Sequence, residues 1–240
     1  MSKILDAYRK QNEAKAKAEG PLAVGPVAFK PLFPPPKDAQ QDDFNKLANK
    51  VLGLRSGPGA TIICFTATTS GEGTSFVSYN TAEKLAHVYN QNVVWIDCNF
   101  LSPNAELNKD HGTTFSDLLK NPQMVSRLRP GINPFPIGGG SDLQTTKGLL
   151  AGPNYSSVLE GLSKRFDFVI LDLPPILESS DTALMALGGD GVLLVVEQEF
   201  LKWEVVNHGV EILRDKGVQV LGSVINRRKF VLPKVIYDRL

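Results

Sequence analysis

An α/β fold, built on a doubly wound and mainly parallel sheet with helices on both faces, is predicted by three observations. Short apolar runs of strand length recur along the chain, amphipathic segments at helical spacing separate them, and 42% hydrophobic against 21% charged residues over 240 positions suits one sizeable core. The runs read as strands are Thr61–Ala67, Val93–Asp97, Phe168–Leu173, Val192–Glu197 and Val220–Asn226. Between them, Ser75–Tyr89 carries Val77, Ala82 and Leu85 on one stripe, Tyr155–Phe166 carries Val158, Leu159 and Leu162, and Glu204–Lys216 carries Val206, Val210 and Leu213. Pro130–Gly140, with three prolines and a glycine run, reads as a short strand and a loop over one end of the sheet.

Ahead of this domain, residues 1–20 are charged and Ala-rich, with Ile4, Leu5 and Tyr8 near helical spacing, and predict a short helix. Residues 21–41 hold the proline-dense stretch ending in Phe33-Pro34-Pro35-Pro36 and read as an extended segment, a passive linker rather than a surface-hugging arm. The α/β domain is expected over 42–240, entered through a helix at Asp42–Leu54 with Phe44, Leu47 and Val51 on one face.

Composition excludes several classes. Lys plus Arg number 26 against 25 Asp plus Glu, so no broad basic field exists to hold nucleic acid. Cys64 and Cys98 lack any CxxC spacing and read as buried thiols in a reducing compartment, and no apolar run has the roughly 20 residues of a membrane span. A cytoplasmic location is expected. His87, His111 and His208 are scattered without ligand spacing, and Trp203 is expected to pack.

The chemistry is expected where the first strand runs into Thr68-Thr69-Ser70-Gly71-Glu72-Gly73-Thr74-Ser75 and Ser75 opens a helix, the context in which backbone N–H groups and a helix dipole hold phosphate. A P-loop reads GxxxxGK[ST]; here Thr68 stands at the first glycine and Thr74 where the lysine belongs. No lysine occurs between Val51 and Glu83, and the loop alone is equally compatible with a plain strand-to-helix turn. Two acids point to more than a turn. Asp97 ends Val-Val-Trp-Ile-Asp and Asp172 ends Phe-Val-Ile-Leu-Asp, and open α/β sheets collect ligands at such strand ends. A buried acid there needs a cation or a donor, and Mg²⁺ held by Ser75, Asp97 and Asp172 supplies one; capping of a neighbouring helix is the alternative.

These segments together resemble the bacterial tyrosine kinases (BY-kinases) of polysaccharide co-polymerase systems, within the MinD/ParA group of P-loop ATPases. Ser70–Ser75 resembles the family's PGEGKS, Trp95–Pro103 its LIDADLRRP segment (Walker A′), Asp167–Pro175 its DYVIIDTPP (Walker B), and Ser180–Ala183 the SDA that follows. The resemblance implies nucleotide-binding residues Thr69, Ser70, Gly71, Glu72, Gly73, Thr74, Ser75 and Phe76, with Asn226 near the adenine. It implies Asp97 and Asp172 as the only catalytic candidates and ATP or ADP with Mg²⁺ as weakly held ligands. It implies a membrane polysaccharide co-polymerase as partner, reached at the inner face of the membrane, and leaves a homo-oligomer open.

The departures shape the functional expectation. Thr74 replaces the phosphate-spanning lysine, Asn99 replaces the second Walker A′ acid, and Leu101 and Ser102 stand where the family has arginines. Asp42, Asn45 and Ala48 occupy the expected E-x-x-R-x-x-R positions, and Tyr237 is alone where a tyrosine cluster is usual. The expectation is a pseudokinase that regulates or scaffolds a co-polymerase in exopolysaccharide synthesis and export. The alternatives are an active kinase or ATPase that draws a cation from Arg127, Arg129, Lys147 or a partner, and a MinD/ParA-like positioning ATPase. Arg227-Arg228-Lys229 reads as a solvated run, with approach to a nucleotide or an acidic partner as the alternative.

Overall fold

In the computed structural model, the described residues are 32–55, 57, 59–104, 107, 113–128, 132–140 and 148–228. The expected N-terminal helix, most of the proline-dense linker, His111 and the tail with Tyr237 lie outside them. Helix α1 (Asp38–Leu52) leads into β1 (Thr61–Ala67), α2 (Thr74–His87) and β2 (Val93–Asp97). Then come α3 (Phe115–Lys120), a 3-10 turn (Pro122–Arg127), β3 (Phe135–Ile137), α4 (Pro153–Ser163) and β4 (Phe168–Asp172). The chain continues through α5 (Asp181–Ala186), β5 (Gly191–Glu197), α6 (Trp203–Asp215) and β6 (Val220–Asn226).

These elements form a single α/β domain. Its sheet has six strands in the order β3-β2-β4-β1-β5-β6, and every pairing is parallel. Because side chains alternate across a strand, one set of strand residues faces each layer. Ile63, Phe65, Val93, Trp95, Phe168 and Ile170 pack with α1 and α2, while Cys64, Val94, Ile96, Val169 and Leu171 pack with α3, α4, α5 and α6. Burial on both faces explains why these strands read as continuous apolar runs.

Three expectations change. Helix α1 starts at Asp38, not Asp42, so residues 38–41 belong to the helix and not to the linker. The Gln40 side chain accepts from Lys37 N (3.2 Å), and Gln41 donates to the Pro36 carbonyl (2.8 Å), which lets a first turn without large apolar residues form directly after the prolines. The short strand expected within residues 130–140 is β3, which pairs beside β2 as a lateral edge strand, where Pro136 can lack an N–H. Trp203 opens α6 with 72% of its surface exposed instead of packing. Lastly, the end of the proline-dense stretch is not a passive linker.

Phe33 docks among Phe76, Tyr79 and Trp95, with ring centroids 6.3, 5.5 and 6.5 Å away. Trp95 is anchored in turn by its indole N–H donating to Ser78 Oγ at 2.9 Å. Phe33→Ala is therefore expected to lower the unfolding free energy by about 1–3 kcal/mol, for a half-buried ring with aromatic neighbours. Urea denaturation checks this, and a change inside experimental error would show that the segment is only laid against the domain.

Candidate nucleotide and magnesium site

Strand β1 is central, flanked by β4 and β5, so the loop leaving its C-terminal end meets the tips of both neighbours. The loop is bent by two glycines in the left-handed region, Gly71 (φ +89°) and Gly73 (φ +86°), which L side chains adopt only at a cost. Gly73 is the N-cap of α2, and Val77 N donates to its carbonyl at 3.0 Å. Residues 74–76 thus present the first turn of a 14-residue helix, the end at which N–H groups and the dipole favour an anion.

Side chains from three directions hold this loop. Glu72 is fully buried: its Oε1 accepts from Thr69 N (2.9 Å) and Thr69 Oγ1 (3.3 Å), and its Oε2 accepts from Glu197 N at the end of β5 (3.1 Å). Asn226, the last residue of β6, donates from Nδ2 to the Glu72 carbonyl at 2.8 Å. Arg227 donates from Nη1 to the Gly71 carbonyl (3.1 Å) and to Glu197 Oε2 (2.7 Å). From the other side Glu178 Oε1 accepts from Ser70 N at 2.6 Å.

The two strand-end acids lie in register on adjacent strands, Asp97 opposite Asp172. Asp97 is 3% exposed and Asp172 1%. Asp97 folds its own loop over itself: Oδ1 accepts from Asn99 N (2.9 Å) and Oδ2 from Asn104 N (2.8 Å). Desolvation nonetheless pushes its pKa from 3.8 up to about 6, with those two bonds opposing. Asp172 is also pushed well above the usual carboxylate range, first by desolvation and then by the Asp97 charge, while hydrogen bonds from Ser75 and Ser78 pull it back. Its Oδ1 is buried without a hydrogen-bond partner.

That orphaned oxygen is the direct test of the expected metal. Two adjacent buried carboxylates and the Ser75 hydroxyl at a helix start form an all-oxygen donor set, and Mg²⁺ takes one or two carboxylates and completes its shell with water and phosphate. The residues fit Mg²⁺. Among the described residues no group of three or more His, Cys, Asp or Glu could hold a metal, so this site depends on the hydroxyl and on a nucleotide for the rest of its ligands.

Not every expected residue points into the site. Phe76 turns its ring to Phe33 and Phe44 (6.3 and 5.8 Å), and Phe100 stacks on Phe115 (6.3 Å). Glu72 braces the loop with its side chain. Arg127 lies far from the loop: its neighbours Ser126 and Leu128 accept through their carbonyls from Arg165, three residues before β4 begins, at the opposite end of the sheet. Arg129 and Lys147 fall outside the described residues.

Glu178 and the role of Glu197 are not singled out by the sequence, which offers Arg227 near a nucleotide only as the alternative to a solvated run. The signal for both Glu197 and Arg227 was their place at the ends of β5 and β6, because parallel strands that flank β1 bring their tips to the same loop.

The comparisons bear on this geometry. No protein-family model matches the chain. It is 25% identical over 198 residues to EpsB of Ralstonia nicotianae, named a tyrosine-protein kinase, covering 80% of this chain and 26% of EpsB. It is 30% identical over 79 residues to the tyrosine-protein kinase CpsD of Streptococcus agalactiae, covering 33% of this chain and 34% of CpsD. The chain thus spans about a quarter of EpsB and a third of CpsD.

Among solved structures, the chimeric protein CapA2B2 superposes with a TM-score of 0.69 at 22% identity, over 79% of this chain and 85% of that one. The septum site-determining protein MinD from Pyrococcus horikoshii, solved with Mg-ADP, gives 0.55 at 19% identity, over 75% and 76%. The homologues of this chain are bacterial tyrosine kinases, and its fold is the P-loop fold shared by BY-kinase domains and MinD/ParA-like ATPases.

Proposed function

We propose that this chain is a BY-kinase-like component of exopolysaccharide or capsule-type synthesis and export that binds Mg-nucleotide through residues 69–75 and transfers phosphate very weakly or not at all. It acts as a regulator or scaffold for a membrane polysaccharide co-polymerase, at the cytoplasmic face. The observation that carries this reading is Thr74, in a loop otherwise built for phosphate and set beside paired buried acids. Phosphoryl transfer consists mostly of positioning and charge stabilisation. Here Ser75 and Asp172 would hold Mg²⁺ and Asp97 would hold it from the neighbouring strand, and the ion would supply positive charge to offset that of the phosphates. The helix start would orient the phosphates. Nothing at position 74 neutralises the charge that develops on the transferred group. Among the described residues no helix is long and apolar enough to cross a membrane.

Calorimetric titration with Mg·ATP, paired with an autophosphorylation assay, tests this reading. The wild type is expected to bind nucleotide and transfer no detectable phosphate. Thr74→Lys is expected to tighten Mg·ATP binding about tenfold or more, the scale of one opposite-charge contact near a protein surface. Wild-type autophosphorylation that disappears in Asp172→Ala would refute the regulatory reading. Arg227 supports a second reading, an active enzyme with its cation supplied in cis, because its guanidinium already reaches the Gly71 carbonyl. Under that reading Arg227→Ala abolishes a transfer activity that the wild type displays.

A further inference from the structure

Beyond Asp172 the chain keeps pairing with β1 after β4 has ended. Leu173 N donates to Phe65 O, Ile176 N to Ala67 O and Leu177 N to Thr68 O, at 2.8, 2.9 and 3.1 Å. Thr66 Oγ1 and Thr182 Oγ1 both donate to the Pro174 carbonyl, which fixes the proline pair between them. This zipper sets Glu178 beside the loop, and its carboxylate takes the Ser70 N–H at 2.6 Å. A donor of the phosphate loop is thus satisfied by the chain's own acid. Glu72, on the neighbouring Thr69 N–H, is fully buried and bonded through both oxygens, so it is part of the loop's frame. Glu178 is exposed and can withdraw at little cost.

We propose that Glu178 determines which nucleotide the site holds: its carboxylate competes with the terminal phosphate of a nucleoside triphosphate, so the chain prefers the diphosphate. The proposal rests on the reading of residues 69–75 as a nucleotide site. Glu178 arrives on the connection that starts at Asp172, the side from which a Mg²⁺ held by Asp172 and Ser75 would bridge the outer phosphates. A triphosphate brings its extra negative charge to that side, where Thr74 offers no ammonium to offset it. The Arg227 guanidinium does not compensate, since it is paired with Glu197 at 2.7 Å. A diphosphate ends one phosphate short of this repulsion and keeps the helix N-terminus.

The test is calorimetric titration of the full chain with Mg·ADP and with Mg·ATP, for the wild type, Glu178→Gln and Glu178→Lys. The wild type is expected to bind ADP more tightly than ATP. Glu178→Gln keeps the side-chain length and removes the charge, and it is expected to tighten ATP about tenfold while moving ADP less than about twofold, the scale of one like-charge contact near a protein surface. Glu178→Lys is expected to tighten ATP further, in a graded series. An unchanged ADP-to-ATP ratio across the three proteins, with binding intact, overturns this inference and leaves the nucleotide site standing. Failure of all three to bind either nucleotide overturns the site reading, and this inference with it.

Discussion

Asp172→Asn is expected to abolish the Mg²⁺ dependence of nucleotide binding and, in the same protein, to raise the melting temperature in metal-free buffer. The two effects have one cause. Asp172 is buried, its Oδ1 has no hydrogen-bond partner, and a second buried acid stands opposite it. A charge in that position is unfavourable until a cation arrives, so the carboxylate costs stability in order to bind metal. A lost first ligand should weaken Mg²⁺ by about a hundredfold, at least the 10–100-fold seen when a ligand's supporting partner is removed. Relief of an unpartnered buried group is worth about 1–3 kcal/mol, or roughly 2–12 °C in a chain of this size.

The pH dependence follows from the same pair. The folded-state pKa of Asp97 is raised from 3.8 to about 6, and that of Asp172 is raised well above its ordinary value. Their contribution to stability is therefore fully present below about pH 4 and is lost as pH rises through about 6 and beyond. Added Mg²⁺ favours the ionised pair, so its stabilising shift should be small at pH 5 and large at pH 7.5. A thermal-shift series in which Mg²⁺ acts equally at both pH values, or in which Asp172→Asn melts no higher than the wild type, would count against this account of the acids.

The second large effect is expected from Gly73→Ala. Gly73 has φ +86°, and a Cβ there would lie 2.3 Å from Asn226 Nδ2. The asparagine cannot simply swing away, because that nitrogen is bonded to the Glu72 carbonyl at 2.8 Å. The substitution combines left-handed strain of about 1–3 kcal/mol with the loss of a bond worth about 1 kcal/mol. It also detaches the loop from β6, so nucleotide affinity is expected to fall by two orders of magnitude or more, as misplaced phosphate donors lose their convergence. Adding Asn226→Ala to Gly73→Ala removes the clash and leaves the strain, and should recover stability only in part. Full recovery would show that the backbone angle is unimportant; no loss in the single variant would show that the loop is not held as described.

Much of the architecture was legible in the sequence because burial on both faces leaves little choice of residue. Thr61–Ala67, Val93–Asp97 and Val220–Asn226 were bounded to the residue, since each run stops at a turn former or at the acid or amide that ends it. Helix α1 was misplaced at its start because residues 38–41 carry no apolar side chain in the helical stripe, and its first turn is instead held by Gln40 and Gln41 acting on Lys37 and Pro36. The edge strand at 135–137 was blurred by Pro136, which an outer position tolerates.

The order of residues along the chain determined the alternation of strands and helices, the strand-to-helix loop at 68–75, the acids at the ends of β2 and β4 and the absence of a lysine at position 74, all properties of contiguous segments. The tertiary structure alone decided that Glu178, Glu197 and Arg227 meet that loop, that Asp97 and Asp172 lie in register, and that Phe33 packs against Trp95. The physical reason is distance along the chain. Each of these contacts joins segments far apart in sequence through the strand order, and local periodicity carries no record of which strands become neighbours.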